Sequence, residues 1–280
     1  MDSVNANGAS LTPPRPGSDP ARLRRLMDVE LLPFTAGCRC FETGIGRIVV
    51  HPGLPVLYDT NLVILRRLPT GKPDEIIKRL EERVRPAFQA VGATHLRFVA
   101  ASDLTAPVKA RFLEAGYRYT DLSIMEHRAR PVRTPDERIR VRPVRSHRDE
   151  TELNLVDSEV LAEVPWGTAL IRAALRIRRK EVSEFLDFAW YIAELDGETA
   201  GSIGLLRSGA AASIQEVSTR PAFRGRSVAT TMVLRMVTIA RESGGEVVSL
   251  MTEAGSLAEG LYSKLGFEVV GHADSFVRDE

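Results

Sequence analysis

The residues best suited to chemistry lie at 217–230, Val-Ser-Thr-Arg-Pro-Ala-Phe-Arg-Gly-Arg-Ser-Val-Ala-Thr. An apolar strand pattern over 212–219 runs into Pro221, which has no N–H to give a strand ladder. Helical periodicity then sets in at Val228, Met232, Leu234, Met236, Val237 and Ala240 and ends at Gly244-Gly245. The first amides of such a helix have no partner within it and lie at the positive end of its dipole, which makes an anion site. Gly225, Ser227 and Ala229 are small enough to let phosphate oxygens reach the backbone. A plain loop leading into a well-formed helix start has the same signature, so this stretch alone does not decide the chemistry.

A second cluster does. Downstream stands Ala258-Glu-Gly-Leu-Tyr-Ser-Lys-Leu-Gly-Phe, which places a phenol, Tyr262, on a short helix closed by a Gly-Phe turn. The two stretches together resemble the GNAT acyltransferase superfamily, whose loop reads Gln/Arg-x-x-Gly-x-Gly/Ala after a strand ending in Val-x-Pro and whose closing motif is Ala-x-x-Leu-Tyr-x-Lys-x-Gly-Phe. The six loop positions are Arg224, Gly225, Arg226, Ser227, Val228 and Ala229. Ser227 departs from the family's usual Gly; a helical N-terminal position, where its hydroxyl adds a donor, is the expectation for it. The resemblance covers about 138–280, half of the chain.

That resemblance implies an acetyl-CoA substrate; the scattered histidines and the Cys38–Cys40 spacing imply no metal. The resemblance also implies a central strand that splays from its neighbour, so that backbone groups of Val217, Ser218 and Thr219 bond the pantetheine arm and thioester carbonyl. Arg224, Gly225, Arg226, Ser227, Val228, Ala229 and Thr230 would hold the diphosphate. An amine then attacks the polarised carbonyl directly, and an acid protonates the departing thiolate. Tyr262 matches the family's usual acid; the alternative is that it only packs beside the cofactor. Glu216, on the strand entering the loop, can draw the ammonium proton through water, or strand alternation can point it away. Glu253 and Glu194 are weaker candidates for the base.

The elements that must position these groups are legible around them. Ile139, Val141 and Val144 predict an opening strand, and helices are expected over about 149–162 and 168–185. Apolar runs at 188–195 and 199–206 meet at Asp196-Gly197, the preferred two-residue hairpin turn. A strand over 246–251, a helix over 256–265 and closing strands at 268–270 and 274–278 complete the half. The expected fold class is α/β (α+β mixed sheet), the GNAT fold.

The first half repeats the pattern. A strand over 59–68, a helix over 73–91 ending at Gly92, a strand over 95–101 and a helix over 108–115 meeting Gly116-Tyr117 keep the order of the second half and predict a tandem arrangement, a single GNAT domain with an unrelated α/β partner being the alternative. The copy is chemically worn, because Pro69-Thr-Gly-Lys-Pro-Asp stands where the phosphate loop belongs and Phe112 stands at the position of Tyr262. The expected division is a flexible tail at 1–20, a degenerate domain at 21–127, a linker at 128–137 and a catalytic domain at 138–280.

Composition narrows the partners. Lys and Arg number 38 against 37 Asp and Glu, which gives no electrostatic reason to bind nucleic acid or an anionic membrane. No run of apolar residues is long enough to span a bilayer and no signal-peptide pattern opens the chain, so a cytoplasmic protein is expected. The two cysteines, Cys38 and Cys40, are one residue apart, a spacing without redox or zinc precedent. Arg172, Arg176 and Arg179 share a helix face, expected to be solvated or to meet an anionic group; Trp166 and Trp190 are expected in the core. A small-molecule amine is the expected acceptor, ahead of a protein, and a homodimer is compatible with the pattern. A non-catalytic acyl-CoA-binding or sensing module is the alternative function.

Overall fold

The structure, a computed structural model, describes residues 19–100 and 104–280; the predicted tail falls almost wholly outside them. The chain opens with helix α1 (Pro20–Glu30), begun by Asp19, whose carboxylate accepts from the Ala21 amide at 2.9 Å. A single-turn helix α2 (Leu32–Thr35) leads to a hairpin, β1 (Arg39–Thr43) and β2 (Gly46–Val50). A 3-10 turn at Tyr58–Thr60 precedes β3 (Leu62–Leu65), then α3 (Pro73–Gln89), β4 (His95–Ala100), α4 (Ala106–Glu114) and β5 (Arg118–His127).

The second half follows the same plan: β6 (Arg140–Pro143), α5 (His147–Leu161), α6 (Ala169–Phe185), β7 (Phe188–Leu195), β8 (Glu198–Ser208), β9 (Ala211–Thr219), α7 (Val228–Glu242), β10 (Val247–Glu253), α8 (Leu257–Lys264) and β11 (Phe267–Asp279). The Asp196-Gly197 turn has the positive φ angles the dipeptide predicts, 57° and 82°. Ser146 and Asp149 close a capping box on α5, and Thr168 caps α6. The two predicted closing strands are one strand, β11, whose register shifts between Val269 and Gly271, so a bulge replaces the expected break.

All eleven strands form one sheet in the order β1-β2-β3-β4-β11-β5-β10-β9-β8-β7-β6. Each half contributes its last strand to the other: β11 lies between β4 and β5, and β5 lies between β11 and β10. The predicted linker therefore separates the halves in sequence but not in the sheet. Along β5, Tyr119 and Met125 face the side covered by α3, α4 and α7, as does Tyr117 just before the strand, while Leu122 and Ile124 face α1. The side of α1 also carries α5 and α6, packed through Leu153 and Val182 on Trp190 and Ile192 of β7.

Candidate active site

Strands β9 and β10 run parallel and pair from Ala211–Val247 as far as Ile214–Leu250. β9 continues five residues beyond that rung and β10 three, with no further pairing between them. The opening begins at a bulge: Ser202 and Gly204 of β8 oppose Ser218 and Gln215, so β9 carries one extra residue there. Glu216 absorbs it with a left-handed φ of 48°. Beyond the bulge the Arg220 amide donates to Ala200 of β8 at 2.9 Å. Backbone alternation then turns the groups of Ser218 to β8 and those of Val217 and Thr219 to the gap, which narrows the expected trio to two.

The strand ends at Pro221 and a 3-10 turn, Pro221–Phe223, pinned by Phe223, which is buried in the core under α7. Gly225 and Ser227 then both take positive φ, 75° and 63°. Ser227 is thus the residue before the helix and lies in the left-handed region with no side-chain capping bond, which corrects the expectation of a helical position for it. The left-handed geometry favours glycine. Among the described residues, the amides of Gly225, Arg226, Ser227, Val228, Ala229 and Thr230 meet no acceptor, while the Thr231 amide takes the Ser227 carbonyl at 2.9 Å. These six donors lie at one end of a 15-residue helix, an arrangement that fits a diphosphate.

These donors border a cavity of about 250 Å³ lined by Thr219, Phe223, Arg224, Gly225, Ser227, Val228, Ala229, Thr230, Leu261 and Arg133. Val228 and Thr230 are buried, so they offer only their backbone. Arg133 was missed in the sequence because it belongs to the linker; Asp136, three residues on, donates its amide to Thr231 Oγ1 at 2.9 Å and ties that linker to α7. Arg224 is held by Glu163 and Arg226 by Asp196 at 2.5 Å, and the Arg226 guanidinium also lies 5.4 Å from the centre of the Phe223 ring.

Tyr262, on α8, is buried in the same core as Val217 and Ile214, and burial pushes its phenol up to about 12. No described residue bonds its hydroxyl. Its counterpart in the first half, Phe112, is fully buried and stacked on Phe276 with ring centres 4.2 Å apart. In that half the β3–β4 ladder runs to the last residue of each strand, Leu65 and Ala100, so no opening forms among the described residues. Among the described residues of that half neither the cleft nor the hydroxyl is present.

The bulge decides where Glu216 points. Val217 packs into the core under α7, while Glu216 lies on the opposite side, among Arg179, Asp157, Arg178 and, from the first half, Asp59. The residue is solvent-exposed, yet the protein crowded around it pushes its carboxyl above the usual range, Arg179 opposing and Asp157 reinforcing. Such a combination describes the wall of a narrow cleft. Glu194 is committed to Arg142 at 2.7 Å, and Glu253 is the exposed last residue of β10. Arg179 is buried, paired with Asp157, with its guanidinium 4.7 Å above the Trp190 ring, so the expected solvated face holds for Arg176 alone; Arg172 is half-buried on the Gly167 carbonyl. Trp190 is in the core as expected, but Trp166 is 60% exposed, in the turn between α5 and α6.

The Acetyltransferase (GNAT) family model matches residues 161–267. No curated protein matches the sequence. Among solved structures, a conserved protein of unknown function from Staphylococcus epidermidis superposes with a TM-score of 0.71 at 14% identity, covering 88% of this chain and 95% of its own. A GCN5-related N-acetyltransferase from Kribbella flavida gives 0.63 at 15% identity, covering 91% and 94%. A tandem GNAT protein from the clavulanic acid biosynthesis pathway gives 0.51 at 14% identity, covering 78% and 75%. No group of three or more His, Cys, Asp or Glu among the described residues has metal-binding geometry, and no described helix is long and apolar enough to cross a membrane. The parted strands and the amide-lined helix start fall within the matched segment: residues 161–267 carry an acetyltransferase (GNAT) family domain, and the N-terminal half joined to it shares the GNAT-like fold.

Proposed function

We propose that the C-terminal half transfers an acetyl group from acetyl-CoA to the primary amine of a small molecule. The observation that carries this reading is the continuity of free backbone groups, from Val217 and Thr219 in the gap to the unpaired amides at the start of α7. The amides take the diphosphate, and the strand edge takes the pantetheine arm and thioester carbonyl. The amine nitrogen attacks the carbonyl carbon, the carbon–sulfur bond breaks, and the thiolate receives the Tyr262 proton. The proton lost by the ammonium passes through water to Glu216, whose carboxyl, raised above the usual range by the protein around it, is the stronger base for that.

The first half supports a small acceptor. Its segment from Leu54 to Leu57 packs on Ile171, Ala174 and Leu175 of α6, and the charge of Asp59 acts on Glu216. Walls on both sides of the bulge suit a compact amine better than an extended peptide. An amine-library screen for thiol release from acetyl-CoA, with Tyr262→Phe as comparison, tests the proposal. Release with one class of small amines, depressed by the substitution, is the expected result. Tight acetyl-CoA binding without release on any amine would instead identify a sensing module.

A further inference from the structure

The carboxyl of Glu30 is completely buried where β9 and β10 part, although it belongs to α1 of the first half. Its Oε1 accepts from Ser249 Oγ of β10 at 2.5 Å, and its Oε2 accepts from Gln215 Nε2 of β9 at 3.0 Å. Gln215 Nε2 also donates to Ser213 Oγ at 2.6 Å. Ser213 and Ser249 face each other across the next-to-last rung of the ladder, and Gln215 is the first β9 residue past the last rung. One carboxyl thus grips both strands at their divergence, next to the bulge residue Glu216.

We propose that Glu30 is a positioning residue: the first half supplies the clasp that fixes β9 at the bulge, so that the Val217 and Thr219 backbone groups face the gap and Glu216 faces the acceptor. This rests on the acetyl-CoA reading of the gap. A buried carboxyl without a cationic partner is costly, and apolar filling at the same place would pack as well. Its placement between strands is what apolar filling would not reproduce, because dispersion contacts set no angle while two hydrogen bonds from one rigid group do. The interleaving of β5 and β11 holds α1 over this point, through Leu26 and Met27 packed with Ile124 and Ala273. The degenerate half is then part of the donor cleft, and its lost chemistry is no obstacle to that role.

Two ligands separate the clasp from the phosphate cradle. Acetyl-CoA uses both the start of α7 and the β9 edge, whereas 3′-phospho-ADP uses only the former. Calorimetric titration of the full chain is expected to show Glu30→Ala weakening acetyl-CoA about tenfold while leaving 3′-phospho-ADP within twofold, with Glu30→Gln recovering most of the loss. Gln215→Met, which keeps size but removes the donor, is expected to give the same split should Glu30→Ala fail to fold. Equal loss of both ligands, or no loss of either in the folded variants, overturns the clasp. Failure of the unmodified chain to bind acetyl-CoA would overturn the reading of the gap itself, and is recognised before any variant is compared.

Discussion

Asp196, at the tip of the β7–β8 hairpin, holds Arg226 of the phosphate loop in an ion pair of 2.5 Å. The same aspartate makes the turn, with a φ of 57°, so a single residue sets the hairpin and restrains a cation of the loop that carries the anion site. Both side chains are substantially exposed, and a pair of that kind is weak and screened by salt. Asparagine tolerates the left-handed turn as aspartate does but carries no charge. Asp196→Asn is therefore expected to leave the fold intact and tighten acetyl-CoA about two- to threefold at low ionic strength, the gain vanishing near ~0.5 M salt. Titrations at two salt concentrations check it; equal affinities in both would show that Arg226 never reaches the phosphates.

Ser227 lies at a φ of 63° without a capping bond. Glycine adopts that region without the clash between Cβ and the following carbonyl, although it loses more chain entropy on folding. Ser227→Gly is expected to stabilise the protein by about 0.5 to 1 kcal/mol, seen as a rise of about 2 °C in Tm. The backbone donors are unchanged, so acetyl-CoA affinity should stay within twofold. A fall in Tm would mean that the Ser227 hydroxyl contributes something its surroundings do not reveal.

How much of this was legible in the sequence depends on whether a signal is local. The hairpin turn, the start of α7, the Gly266 turn and the chemical wear at Phe112 are written in neighbouring residues, and each stands where expected. Helices α1 and α2 and the β1–β2 hairpin were not assigned. The apolar stripe of α1 is only Leu23, Leu26 and Met27 among three arginines, and β1 exposes most of its residues. The exchange of β5 and β11 has no sequence signature, because either strand would read the same beside its own half. The orientation of Glu216 depended on a bulge fixed by pairing to β8, which period-two alternation cannot foresee.

Tyr262 holds its proton throughout the range in which acetyl transfer is measured, since burial raises its phenol to about 12. Tyr262→Phe is expected to lower kcat about 10²-fold with little change in KM for acetyl-CoA. The pH profile then has one ascending limb, displaced above the ordinary carboxylate range and belonging to Glu216. Its carboxyl is raised above the usual range, so the active ionised form appears as pH rises and kcat climbs with it. Glu216→Gln should flatten that limb while Tyr262→Phe keeps it at reduced height. A limb that survives in Glu216→Gln would assign the base elsewhere.

Glu30 gives stability a dependence on pH. Burial lifts its carboxyl from the usual 4.5 to about 7, and the partners that oppose this, Ser249, Ser213 and Gln215, are all neutral. A raised folded-state value means that the native protein binds the proton more tightly than the unfolded chain. The associated stability is complete below about pH 4.5 and is lost progressively as pH rises through about 7, beyond which the loss is constant. The full span is of order 3 kcal/mol. Glu30→Gln has no proton to lose and should show none of this decline, so the difference in unfolding free energy between the two proteins should move in favour of the variant between pH 5 and pH 8. Urea unfolding at several pH values measures it; parallel curves for the two proteins would show that Glu30 ionises no differently in the folded and unfolded chain.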